Sequence, residues 1–142
     1  MRPSKVSPMV SMFTLARVGN KGSSSFTTKV QIQVDGIGFP TTALCDTGAD
    51  ARLLVSPAVA ARAQKSLRAR VFTLREPIQL QDFRRRPAGK ITMKMIASLE
   101  IDRRRFPNET FWVTETGCDI FIGQYWLAEK NVLMWPQECQ LI

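Results

Sequence analysis

From residue 28 to residue 34 the chain alternates strictly, with Val30, Ile32 and Val34 on one parity and Lys29, Gln31 and Gln33 on the other. A period of two puts the apolar side chains on one face of a half-buried β-strand and does not fit a helix. Asp35-Gly36 follows directly, the dipeptide that tolerates the positive φ angles of a tight hairpin turn. A return strand is expected over residues 37–45. The chain is therefore committed early to an antiparallel hairpin, whose second strand runs straight into Asp46-Thr47-Gly48.

The remaining pattern is also dominated by β-structure. A first strand is expected over residues 12–18, before a Gly/Ser/Asn loop. Leu53-Leu54-Val55 is a short apolar run of the buried-strand kind. Ser56-Pro57 reads as a helix N-cap followed by proline at the first helical position, opening an Ala-rich helix that ends near Leu67. Residues 71–74 and 78–81 read as two short strands broken by Pro77. Residues 82–90 form a polar tip, and alternation resumes at Ile91, Met93 and Met95, so a second hairpin is expected. Further strands fall around residues 99–101, 111–113 and 120–122, with a helix over 124–130 and closing strands over 132–135 and 138–141. The fold class is mostly β with one or two short helices.

The length of 142 residues suits one domain. Residues 1–25 are expected to be a basic leader without acids, since the first acidic residue is Asp35. Residues 26–142 would be the domain itself. A transit peptide ranks behind a plain leader, because no amphipathic helix is evident. With 44% hydrophobic and 23% charged residues, the profile is that of a soluble globular chain, and no apolar run has the length of a membrane span. Cys45, Cys118 and Cys139 show no paired spacing, which argues against a disulfide framework and a zinc site. The chain has no histidine. Ser-His, Cys-His and His-ligated zinc mechanisms are thereby excluded within one chain, and a hydrolase built from it has to work with carboxylates or lysines. No metal or cofactor is expected.

Carboxylates suffice for peptide hydrolysis when two of them share one proton. The ionised one takes a proton from water, and the protonated one hydrogen-bonds the scissile carbonyl. Asp46 stands at the end of the apolar segment Ala43-Leu44-Cys45, Thr47 offers a hydroxyl, and Gly48 permits a tight turn. Alone, the tripeptide reads as a turn with an Asx hydrogen bond.

Its surroundings change that weighing. Ala43-Leu44-Cys45-Asp46-Thr47-Gly48-Ala49-Asp50, followed by Leu53-Leu54-Val55-Ser56-Pro57, resembles the active-site segment of retropepsins, above all those of gypsy-type LTR retrotransposons. Cys118-Asp119-Ile120-Phe121-Ile122-Gly123-Gln124-Tyr125-Trp126-Leu127 resembles that family's second signature, and the likeness extends over about residues 26–136. The resemblance implies a closed, barrel-like β domain active as a two-fold homodimer. It implies Asp46 as the catalytic aspartate, with Thr47 gripping the partner loop. Gly48 would present backbone to substrate, Ala49 would line the site, and Ile122 and Gly123 would support the loop. The hairpin around Phe83, Arg84, Arg85, Arg86, Pro87, Ala88 and Gly89 would be the flap, with Gly89 near its mobile tip. Arg52 and the arginine-rich flap depart from the usual family pattern.

One Asp-Thr-Gly supplies half a dyad, so the mechanism requires a second copy, and a two-fold axis brings equivalent residues face to face. The terminal strands are candidates for the interface. The implied function is an aspartic endopeptidase acting on an extended peptide of a polyprotein, inside the cell in the cytoplasm or in virus-like particles. A catalytically silent dimerisation or peptide-binding module is the alternative. A nucleic-acid-binding protein is a third reading, prompted by the net charge of +8 and the runs Arg84-Arg85-Arg86 and Arg103-Arg104-Arg105. It ranks behind a reading in which those runs are solvated charge. Trp112, Trp126 and Trp135 are expected to pack in the core or an interface, Cys45 to be buried away from the site, and no membrane is expected as a partner.

Overall fold

The computed structural model describes residues 10–11, 25–81, 87–132, 134–135 and 140–141. The alternating segment forms β2 (Ser25–Val34), which pairs antiparallel along its whole length with β3 (Ile37–Asp46). Asp35 and Gly36 join them with φ of 52° and 81°, the double left-handed geometry of a type I′ turn. β4 (Leu53–Val55) leads into α1 (Pro57–Leu67), then β5 (Arg70–Gln81), β6 (Pro87–Ile101), β7 (Arg104–Val113), β8 (Ile120–Gly123) and α2 (Gln124–Glu129). Two-residue strands complete the set: β1 (Val10–Ser11) pairs parallel with the end of β5, and β9 (Met134–Trp135) pairs antiparallel with β10 (Gln140–Leu141). The strand expected over 12–18 lies outside the described residues.

Six strands close on themselves in the order β6-β2-β3-β8-β4-β7, with β7 returning to β6. β5 extends from β6 outside this ring. Closure removes the open edges that a flat sheet would leave.

Strand parity divides the apolar residues between two cores. Leu53, Val55, Ile120 and Ile122 face the barrel interior with Cys45 and Trp126. Their neighbours Leu54 and Phe121 face the other way, into a second cluster with Ala49, Ile78, Leu80 and Ile91. β4 and β8 are therefore covered on both faces, which is why they read as unbroken apolar runs.

The two short strands expected around Pro77 are one strand, β5. The ladder with β6 shifts register between Thr73 and Ile78, and this irregularity accommodates a proline that has no N–H to donate. Of the expected polar tip, Pro87 to Lys90 belongs to β6 and pairs with residues 79–81, while residues 82–86 lie outside the described residues. No described helix is long and apolar enough to cross a membrane.

The cap of α1 is as the sequence suggests: the Val59 N–H donates to Ser56 Oγ at 3.1 Å, and Ser56 is buried. Ser56→Ala is expected to cost about 1 kcal/mol of stability, measured as a lower midpoint in urea with an unchanged slope.

Candidate active site

Asp46 is the last residue of β3, opposite Ser25 of β2 and Gly123 of β8. Its neighbour Cys45 turns into the barrel core, as expected from parity. Asp46 itself has 0% relative exposure. Its Oδ1 accepts a hydrogen bond from the Gly48 N–H at 2.8 Å, which is the Asx turn anticipated from the tripeptide. Its Oδ2 is buried and has no hydrogen-bond partner among the described residues. The burial is shallow, because Thr47 and Gly48 are exposed. Loss of solvent raises the Asp46 pKa above the ordinary aspartate range, and the Gly48 N–H partly offsets that rise.

The loop after Asp46 is held by the start of α2. This helix has Gly123 at its N-cap and no side-chain cap, so its first N–H groups need other acceptors. They find them in the loop: the Gln124 N–H donates to the Ala49 carbonyl at 3.0 Å and the Tyr125 N–H to the Ala51 carbonyl at 3.1 Å. The Gly123 N–H donates to the Arg52 carbonyl at 2.7 Å, and Gln124 Nε2 donates to Asp50 Oδ1 at 2.5 Å. Arg52 reaches Glu129 at the end of the same helix, 2.6 Å away, which gives a structural role to a residue that departs from the family pattern.

Gly123 is fixed by space. A Cβ there would lie 2.2 Å from the Ala51 carbonyl oxygen, and real Cβ atoms do not approach so closely. Ile122 sits beside it with no exposure, in the barrel core. Thus Asp46, Thr47, Gly48, Ala49, Ile122 and Gly123, from two distant segments, meet at one end of the barrel.

The hairpin read as a flap reaches the same place through its base. Ile78, Leu80 and Ile91 pack in one cluster with Ala49 and Ala51 of the loop. Gly89 lies within β6 opposite Leu80, next to a register shift, with φ of 119°. Phe83, Arg84, Arg85 and Arg86 lie outside the described residues.

The sequence reading missed a second buried carboxylate. Glu109 accepts from Trp126 Nε1 at 3.0 Å and pairs with Lys130 Nζ at 2.7 Å, fixing the far end of α2. Its parity with Phe111 was the available signal. The Cys118 thiol is pushed up by burial, which disfavours its thiolate. Among the described residues, no group of three or more Cys, Asp or Glu side chains is placed to hold a metal ion.

No family model and no curated protein matches the sequence. Eighteen chains of solved structures match the fold. One is the retroviral protease-like domain of Ddi1 from Leishmania major, at a TM-score of 0.54 and 14% identity, covering 80% of this chain and 85% of that one. The fold is retroviral protease-like. At that identity the likeness speaks for the fold, and the chemistry has to be argued from the residues.

Two outcomes follow from this geometry. Because the native Asp46 pKa is raised, the folded state binds a proton more readily than the unfolded chain. Its contribution to stability therefore falls as pH rises from the ordinary aspartate value, about 3.9, through the raised native value, and is constant above it. The stability of Asp46→Asn relative to the unchanged chain should rise across that window, read from urea midpoints at a series of pH values. Gly123→Ala should displace the 49–52 loop and destabilise the fold by about 1–3 kcal/mol, with loss of the Gln124 and Tyr125 amide protection in hydrogen exchange.

Proposed function

We propose that the chain is an aspartic endopeptidase of the retroviral and retrotransposon type, with an active unit of two copies related by a two-fold axis. The observation that carries this reading is the divided state of the Asp46 carboxyl. One oxygen is fixed by the Gly48 N–H, and the other is buried without a described partner. A buried oxygen left unpaired costs free energy. A second Asp46 carboxyl sharing a proton with it would satisfy both.

In such a pair only one carboxyl ionises readily, and the apparent pKa values belong to the pair. The ionised group takes a proton from a water molecule lying between them. The resulting hydroxide attacks the scissile carbonyl, while the protonated group donates a hydrogen bond to the carbonyl oxygen. Collapse of the tetrahedral species passes a proton to the departing amine and breaks the C–N bond.

The exposed backbone at Thr47 and Gly48 would form the floor for an extended peptide, and the β5–β6 hairpin would close over it and exclude water. β9 and β10 are the proposed interface strands, with Thr47 gripping the partner loop. The proposed substrate is a polyprotein matured inside the cell or in a virus-like particle.

The test uses the purified full chain, a denatured protein mixture and a range from mildly acid to neutral pH. Cleavage should be blocked by a transition-state-mimicking aspartic-protease inhibitor and reduced at least about 100-fold in Asp46→Asn, the lower range for losing a general acid–base group. Specific activity should fall on dilution. A chain that dimerises and binds peptide but shows no inhibitor-sensitive cleavage is the silent module instead.

A further inference from the structure

A charged cleft lies away from Asp46. It has a volume of about 430 Å³ and lies where the β2–β3 turn meets the middle of β6, with Asp35 on its rim. Asp46 lies at the other end of β3, a strand of ten residues, or about 30 Å of chain.

Three arginines from separate parts of the sequence converge on this cleft: Arg68 at the C-cap of α1, Arg70 at the start of β5 and Arg105 in β7. All three are exposed, and none forms an ion pair with a carboxylate among the described residues. Glu100, opposite Arg105 in the β6–β7 ladder, accepts instead from Gln33 Nε2 at 2.9 Å. The buried Ser98 lines the cleft, and its Oγ accepts from the Asn108 N–H at 3.3 Å. Its hydroxyl hydrogen remains a donor.

Beside the cleft, two residues along β5, stands Phe72. It is 40% exposed. The Arg70 guanidinium and the Lys94 ammonium lie 5.8 Å and 5.9 Å from its ring centroid. Lys94 is its ladder partner on β6. Nothing in the proposed proteolysis uses this ring.

We propose that this face binds single-stranded nucleic acid, with a backbone phosphate in the Arg68/Arg70/Arg105 cleft and a base stacked on Phe72. Guanidinium groups match phosphate oxygens in shape and charge. An exposed aromatic ring between cations is the platform on which unpaired bases stack irrespective of sequence. A duplex keeps its bases stacked internally and cannot use Phe72 in this way. An acidic peptide could use the arginines but gains less from the ring. The sequence reading treated Arg103-Arg104-Arg105 as solvated charge, but Arg105 shares a cleft with two residues more than thirty positions away.

The test is fluorescence anisotropy of the full chain with a labelled oligouridylate, over a salt series. Binding should weaken with salt, with a logarithmic slope of about 0.7 for each phosphate neutralised. Arg70→Ser and Arg105→Ser together should lower both affinity and slope. Phe72→Ala should weaken binding about 5- to 150-fold, the range for one base–aromatic stack. Phe72→Tyr should retain it, and melting curves confirm that each variant is folded. The proposal is overturned if the chain does not bind at low salt or if the variants bind as the unchanged chain does. It is equally overturned if duplex RNA, polyglutamate or inorganic phosphate at matched ionic strength displaces the label as well as an unlabelled single strand.

Discussion

The parallel pairing of Asp46 with Gly123 is the contact on which the rest of the site depends. It joins β3 to β8 at the point where one strand ends in a loop and the other enters a helix. Gly123 has no side chain, so the Ala51 carbonyl can lie where a Cβ would otherwise be. The loop can then offer its Ala49 and Ala51 carbonyls to the uncapped N–H groups of α2. One close approach therefore satisfies the helix start, fixes the loop and holds the aspartate at the rim of the barrel. These bonds are coupled, because moving the loop exposes donors as well as acceptors.

Two buried acids show how different a carboxylate's surroundings can be within one small fold. Glu109 has a partner at each oxygen, an indole N–H and an ammonium, and serves to fix α2 against β7. Asp46 has a backbone N–H at one oxygen and no described partner at the other. A satisfied buried acid is a structural tie. A half-satisfied one, shallow and flanked by exposed residues, retains the capacity for proton transfer, which is why the functional reading rests on Asp46 and not on Glu109.

Much of this was legible in the sequence because it is local. The period-two pattern of residues 28–34, the Asp35-Gly36 turn and the Ser56 cap each depend on a few adjacent residues, and the structure has all of them. The continuity of β5 through Pro77 was not legible, since it depends on β6 shifting register to accommodate it. Gln124 and Arg52 were not seen as loop supports because their partners, Asp50 and Glu129, are 74 and 77 positions away in opposite directions along the chain. Glu109 could have been found from strand parity, but an acid in an apolar strand is more readily assigned to the solvent face.

β5 shows how a single strand can serve two separate surfaces. Its first residues, Arg70 and Phe72, belong to the cationic cleft and its exposed ring. Its last, Ile78 and Leu80, pack against Ala49 and Ala51 of the loop after Asp46. Between them, at Pro77, the ladder slips, and a slip changes which face of a strand each residue presents. A regular strand with Phe72 directed outward would place Ile78 and Leu80, which share its parity, outward as well. The irregularity around Pro77 lets residues of one parity be exposed at one end of the strand and buried at the other. The irregularity that spans the proline first read as a break thus lets one segment build an inward-packed end and a charged outer face.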